Sequence, residues 1–362
     1  MPDRPHVLVV GSGIIGASIA YHLQRDDARV SIIEAGQVGG LATRHSWAWI
    51  NASWGNPEPY FRLRHHSMKL WRELGKTLPD LRVNWCGGLL WDAPAEELNA
   101  YVTQHRAWGY DIRTVARDKA RRIEPQLATV PAFAVHVPEE GVVEPVAAAK
   151  AFLAAAQALG TELITGRKVT AMDVQAGRVI GIVTDQGRIA ADEVVIAAGT
   201  ATPELTATAG VTIPLSAPPG LLAVTNPQPK LLNGLVMAPQ MHIRQQPDGR
   251  LIAGADFGGS ELAEGDGEEA AKVAALSLLD MMRGFFAASS GLALDHYTIG
   301  HRPTPADGYP AIGRTPGIDG LSLAVTHSGI TLAPVIGAAL SAEIRTGKRE
   351  PLLALYRPER FS

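Results

Sequence analysis

Three glycines, Gly11, Gly13 and Gly16, stand in the order GxGxxG directly after the run HVLVV. In such a pattern the first glycine permits a tight turn, the second lets a pyrophosphate approach the backbone, and the third lets helix and strand pack closely. The free N–H groups and dipole of the helix that follows favour phosphate. Glu34 closes a second apolar run, RVSIIE, at about the 20-residue offset where a carboxylate accepts hydrogen bonds from an adenosine ribose. Its charge would repel a 2′-phosphate, which disfavours NADP and leaves FAD and NAD equal on these residues alone. Farther on, His242 and Arg244 are two apart in MAPQMHIRQQ, so on a strand they share a face. Cys86 is the single cysteine, which excludes an internal disulfide or a cysteine-based zinc cluster, fits a reducing compartment and reads as a small packed hydrophobe. No metal site is read.

These residues need a framework. With 362 residues, 46% of them hydrophobic, and 37 glycines, the chain can bury a sizeable core and form two packed or interleaved domains. The net charge of -3 is spread without a long basic block, which argues against a nucleic-acid partner. No apolar stretch reaches the roughly 20 residues of a membrane span. The N-terminal apolar run leads straight into the glycine turn, so it reads as a strand rather than a signal peptide, and a cytoplasmic location is expected.

Residues 6–10 suit a strand buried on both faces, and Ile14, Ile15, Ile19, Ala20 and Leu23 mark the inner face of the helix after the turn. A second helix is expected over 145–160, opening on Pro145 and closing on Gly160. Hairpins around Gly177 and Gly187 precede an apolar strand, 193–198, that can rejoin the first sheet and bring Gly199 near the nucleotide. Strands over 220–226, 235–245 and 250–255, the last two joined by a QPDG turn, predict an antiparallel sheet. A helix over about 267–287 would cover it.

The blocks GHRPTPADGYPAIG and THSGITLAP, together with GxGxxG and Glu34, resemble the FAD-dependent D-amino-acid oxidase superfamily, particularly its glycine oxidase and sarcosine oxidase branch. The resemblance spans nearly the whole chain, since GVVEPVAAAKAFLAAA, KVTAMDV and ADEVVIAAGT follow in the order such enzymes use. It implies an α/β (α+β two-domain) fold. A Rossmann-like FAD-binding domain (1–85, 140–210 and 300–362) would be interleaved with an antiparallel-sheet substrate domain (86–139 and 211–299).

The resemblance also selects FAD over NAD. The implied contacts are Gly11, Gly13, Ile14, Ile15 and Gly16 in the turn; Glu34 and Ala35; Ala42, Thr43, Arg44, Ser46, Trp47 and Ala48 in the following loop; Val169 on the adenine side; Ala198 and Gly199; and His327, Ser328, Gly329, Ile330 and Thr331. The last of these open an apolar helix with Pro334 in its first turns and Gly347 just past its end. Its N-terminus can face the flavin N1–C2 carbonyl edge, where reduction places negative charge. Sarcosine oxidases that hold FAD covalently carry a cysteine near this segment, and this chain has none, so FAD is expected to be non-covalent.

For the substrate, the resemblance assigns Arg302 to a carboxylate, which suits a planar guanidinium; a structural salt bridge is the alternative. His242 takes the place of a substrate-site tyrosine and would supply a hydrogen-bond partner, with Arg244 offering a second anion contact. Ile252 stands where sarcosine oxidases carry an oxygen-activating lysine, so oxygen is expected to be a poor acceptor. The loop LATRHSWAWINASWG departs from the family, with Ala48 where glycine is common and with Trp47, Trp49 and Trp54 crowding it. Either the tryptophans pack the domain interface or Trp49 forms an aromatic wall for a substrate with an apolar or flat portion.

The implied activity is oxidation of the C–N bond of an amino acid or related amine by hydride transfer to flavin, giving an imine that hydrolyses. The partners would be that small molecule and oxygen or another electron acceptor, and a homo-oligomer or partner subunit is compatible. Three alternatives stay open: a dehydrogenase passing electrons to a quinone or partner subunit, a FAD-holding non-catalytic subunit, and an NAD-dependent dehydrogenase.

Overall fold

The computed structural model describes residues 4–53, 55–255, 265, 267–289 and 291–362. Trp54 lies outside them. Among the described residues a six-stranded sheet has the order Ala311–Arg314, Leu321–Val325, Glu193–Ile196, His6–Val10, Arg29–Glu34, Glu162–Thr165. All its pairs are parallel except the edge pair of Ala311–Arg314 with Leu321–Val325. The β-branched run at 6–10 suits its centre because both of its faces are covered. Val7 and Val9 pack in the core beneath helices Ile14–Arg25, Pro145–Ala158 and Gly329–Thr346, whereas Leu8 and Val10 join a second cluster with Val169, Met172, Val179 and Ile182. That second layer is the antiparallel sheet Val169–Gln175, Arg178–Thr184, Gly187–Ala190. The nucleotide-type layer is thus drawn from distant parts of the chain.

An eight-stranded sheet runs Leu294–His301, Pro219–Thr225, Leu251–Gly254, Met241–Gln245, Leu235–Ala238, Gly88–Leu90, Phe133–Val137, Arg113–Ala116. It is antiparallel except where Leu235–Ala238 runs parallel to Gly88–Leu90. Helix Glu268–Phe285 seals one face through Ala271, Ala275, Leu278, Leu279 and Met282. The segment expected as one strand over 235–245 is instead two strands in a hairpin, with Ala238 paired to Met241 around Pro239 and Gln240. Proline has no N–H for the ladder, so the chain turns there. The QPDG turn forms as expected: the Gln246 N–H donates to the Arg250 carbonyl at 2.8 Å. Helix Glu58–Thr77, not anticipated from the sequence, buries Tyr60, Phe61, Leu63, Met68, Trp71 and Leu74. No helix among the described residues is long and apolar enough to cross a membrane.

Candidate active site

The glycine turn is dictated by close approach. Gly11 has φ +100°, and a Cβ there would lie 2.6 Å from the Ala197 carbonyl oxygen. A Cβ on Gly16 would sit 1.9 Å from the Gly11 carbonyl oxygen, so the third glycine lets the helix close onto the turn. Helix Ile14–Arg25 starts at Gly13 with no side-chain cap and no acidic residue in its first turn. The Ile14 N–H donates to Thr43 Oγ1 at 3.0 Å, which ties the loop to the helix start.

Glu34 acts within the protein as well. Its Oε2 accepts from the Ser12 N–H (2.9 Å) and hydroxyl (2.7 Å), and its Oε1 accepts from the Gly36 N–H (2.8 Å). The carboxylate therefore braces the glycine turn while retaining an acceptor site on Oε1 for a ligand.

A second helix N-terminus opens beside the first. Helix Gly329–Thr346 also lacks a side-chain cap and an acidic first turn. It packs tightly on Ile14–Arg25: Ser18 Oγ donates to the Ala333 carbonyl at 2.7 Å, and a Cβ on Gly337 would meet Ser18 Oγ at 2.6 Å. Arg64, buried on helix Glu58–Thr77, adds positive charge at this point. Its guanidinium donates to Ser328 Oγ (2.7 Å), the Asn51 carbonyl (3.1 Å) and Asn51 Oδ1. Two helix dipoles and one guanidinium thus point their positive character toward one space.

That space is a single cavity of about 1160 Å³ running from the glycine turn to Arg302. Arg302 follows strand Leu294–His301 and lies across Gly220, where a Cβ would be 3.0 Å from its terminal nitrogen. His242 is buried opposite Gly254 in the strand register, and a Cβ on Gly254 would be 2.5 Å from His242 Nε2. Its ring meets Trp47 edge to face, centroids 4.6 Å apart. Burial, and then the charge of Arg302, lower the His242 pKa to about 3, so it works as a neutral imidazole. Desolvation by the surrounding cavity wall, followed by the charges of Arg64 and Arg302, lowers His327 to about 4, although the residue itself keeps an exposed surface.

Arg244 corrects an expectation. It shares a face with His242, but its Nε donates to the Trp47 carbonyl (2.8 Å) and its Nη1 pairs with Glu144 (2.8 Å). It does not line the cavity. With Nε and Nη1 engaged under the tryptophan loop and no part of the residue on the cavity wall, Arg244 tethers Trp47 rather than reaching the substrate space. Ile252 is likewise a core residue off the cavity wall, its carbonyl accepting from the Trp47 indole N–H at 3.3 Å. Gly16 acts behind the wall through its packing on Gly11.

The other expected contacts reach the wall: Gly11, Gly13, Ile14, Ile15, Glu34, Ala35, Ala42, Thr43, Arg44, Ser46, Trp47, Ala48, Val169, Ala198, Gly199 and His327 to Thr331, with Trp49, His242 and Arg302. Ala48 has φ +65°, a left-handed conformation that glycine adopts without strain and alanine does not, which is why glycine suits that point of the loop.

The sequence reading missed His45, Asn51, Arg64 and Asp92 on the wall and Glu140 behind it. Glu140 is fully buried. Its Oε2 accepts from the Trp49 indole N–H (2.9 Å), and its Oε1 accepts from the Tyr110 hydroxyl (2.8 Å) and the Ser53 hydroxyl. Burial pushes its pKa up to about 7. The acidic pair at 139–140 beside an apolar run was the only local signal. Among the described residues no group of three or more His, Cys, Asp or Glu is placed to hold a metal ion.

A glycine turn that only glycine fits, an acid at the second strand and a chamber extending past a second helix N-terminus fit a bound dinucleotide with room for a substrate beyond it. Fold and site define a dinucleotide-dependent oxidoreductase. The chain belongs to the DAO family of FAD-dependent oxidoreductases, whose family model matches residues 6–343. It is 27% identical over 351 residues to a glycine oxidase of Bacillus licheniformis, covering 94% of this chain and 93% of that one. Among solved structures it is similar to glycine oxidase from Geobacillus kaustophilus (TM-score 0.85, 25% identity, 98% of each chain). It also shares the fold of L-proline dehydrogenase from P. horikoshii (TM-score 0.88, 23% identity, 100% of this chain and 98% of that one). The protein is an FAD-dependent oxidoreductase.

Proposed function

We propose that the protein oxidises the C–N bond of an amino acid or a related amine, using non-covalently bound FAD. The observation that carries this reading is that one continuous cavity joins the glycine turn and both helix N-termini to the guanidinium of Arg302. Gly11, Gly13 and the Ile14 helix start would hold the pyrophosphate, Glu34 the ribose and Val169 the adenine side. The Gly329 helix start and Arg64 would face the flavin ring. FAD supplies the acceptor for a hydride from the substrate α-carbon.

The chain's own residues bind and orient the substrate. Arg302 grips the carboxylate, and burial makes such a charge pair stronger than an exposed one. Neutral His242 cannot repel a cationic amine, and with a pKa near 3 it does not serve as a general base at neutral pH. The amine loses its proton before transfer, so orientation and electrostatics are the contribution of the protein.

Non-covalent attachment is supported by the position of the one cysteine, Cys86, which does not line the cavity. A single cysteine also suits a reducing, cytoplasmic setting. The test is anaerobic mixing of the yellow protein with amino acids, N-methyl amino acids and cyclic imino acids. Bleaching by at least one of them is expected; a flavin that none reduces refutes the reading. Turnover in air against turnover on an artificial acceptor then tells whether oxygen is the electron acceptor.

A further inference from the structure

We propose that His242, Trp47 and Trp49 form a fixed apolar wall selecting amino acids with an apolar or flat side chain over glycine, and that Glu140 is the positioning residue that locks it. This rests on the C–N oxidation reading above.

The three rings make a row along the cavity. His242 and Trp47 meet at 4.6 Å and 74°, and Trp47 and Trp49 at 5.8 Å and 77°. Both are edge-to-face arrangements of the favoured kind. The one polar atom of each indole, and one of the two ring nitrogens of His242, is engaged by the protein. The Trp49 indole donates to Glu140, the Trp47 indole to the Ile252 carbonyl, and the His242 ring bonds to the backbone of Ala255. What the two indoles turn to the cavity is therefore carbon surface, and the neutral imidazole beside them adds no charge.

The row is also rigid. Trp49 pairs with Val142 in a short antiparallel ladder, and its carbonyl accepts from Thr331 Oγ1 at 3.1 Å. The Trp47 carbonyl is held by Arg244 at 2.8 Å. His242 is seated on Gly254, whose missing side chain leaves the space for the imidazole.

Glu140 has no exposure to solvent, and both of its oxygens are used. Turning Trp49 out of the wall would strip a buried carboxyl of a partner, and leaving such a group unsatisfied is costly. A side chain of leucine or phenylalanine size would cover the wall and displace water from it. Glycine would leave it wet. One methylene in an apolar pocket is worth about tenfold or more in discrimination, so a larger group should gain at least that factor.

The experiment is anaerobic flavin reduction in the FAD-loaded enzyme with glycine and with both enantiomers of alanine, leucine, phenylalanine and proline. The parent enzyme is expected to use its best apolar substrate at least about tenfold better in kcat/KM than glycine. Trp49→Ala should lower that ratio about tenfold, whereas Trp49→Phe, which keeps a ring, should lose less. Glu140→Gln should reduce the ratio through KM rather than kcat, because it loosens the indole without touching substrate. A parent enzyme that prefers glycine, or a Trp49→Ala variant that loses the same factor on every substrate, overturns the wall while leaving C–N oxidation standing. An unchanged ratio in Glu140→Gln overturns the positioning role. If no amino acid bleaches any variant, both readings fall together.

Discussion

Replacing Gly254 by alanine tests the placement of His242 most directly. An added Cβ would lie 2.5 Å from His242 Nε2, 2.6 Å from Cε1 and 3.0 Å from Leu222 Cδ2. Ordinary contact needs about 3.5 Å, so the imidazole must move by about 1 Å. On its other side stands Trp47 at 4.6 Å between centroids, itself tied through its indole N–H and its carbonyl. The displacement therefore has no soft direction except toward the cavity. Overpacking of this kind costs about 1–3 kcal/mol, and a 1 Å misplacement beside the reacting groups can cost about a hundredfold in rate.

Guanidinium unfolding of the parent, Gly254→Ala, His242→Ala and the double variant supplies the assay. Removing the imidazole removes the clash, so the double variant should be more stable than the two single losses added together, with a coupling of about 1–3 kcal/mol. Additivity within about 0.5 kcal/mol, or a Gly254→Ala protein as stable and active as the parent, would refute the placement of His242 on Gly254.

Three further outcomes are expected. Gly16→Ala should lose FAD on desalting, since its Cβ would fall 1.9 Å from a backbone carbonyl oxygen, whereas Gly284→Ala, with nothing within 4 Å, should stay yellow. Arg302→Ala should raise KM for a carboxylated substrate by the equivalent of about 2–4 kcal/mol, mainly from desolvated pairing; unchanged kinetics would end the carboxylate assignment.

Acid should destabilise the fold. Buried His22 and His242 titrate at about 4 and 3 in the folded chain against 6.5 unfolded, so their contribution is complete above 6.5 and is lost as pH falls toward those values. Glu140 runs the other way, at about 7 folded against 4.5 unfolded, so its contribution is complete below 4.5 and is lost as pH rises through 7. Between 4.5 and 6.5 two protons oppose one, a net of one, or roughly 1.4 kcal/mol per pH unit. A melting temperature at pH 5 equal to that at pH 7 would contradict this.

Local chemistry was legible in the residues themselves. Gly11, Gly13, Gly16 and Glu34 announce a nucleotide cradle because a turn that needs glycine is decided within a few residues. The 6–10 run announces a central strand because β-branched residues without alternation suit burial on both faces. Helix Glu58–Thr77 was legible too, since Tyr60, Leu63, Ser67, Trp71 and Leu74 recur at helical spacing, although it was not read. Alternation likewise placed His242 and Arg244 on one face.

Alternation could not say what that face meets. Only the tertiary structure sent His242 into the cavity and bound Arg244 to Glu144, 100 residues away. Glu140 meets Trp49 across 91 residues, and Arg64 meets Ser328 across 264. Pairings of this kind depend on which elements the sheets bring together, and no short-range pattern encodes them. The cradle belongs to the sequence because its geometry is backbone geometry; the substrate wall belongs to the fold because each of its anchors comes from a different part of the chain.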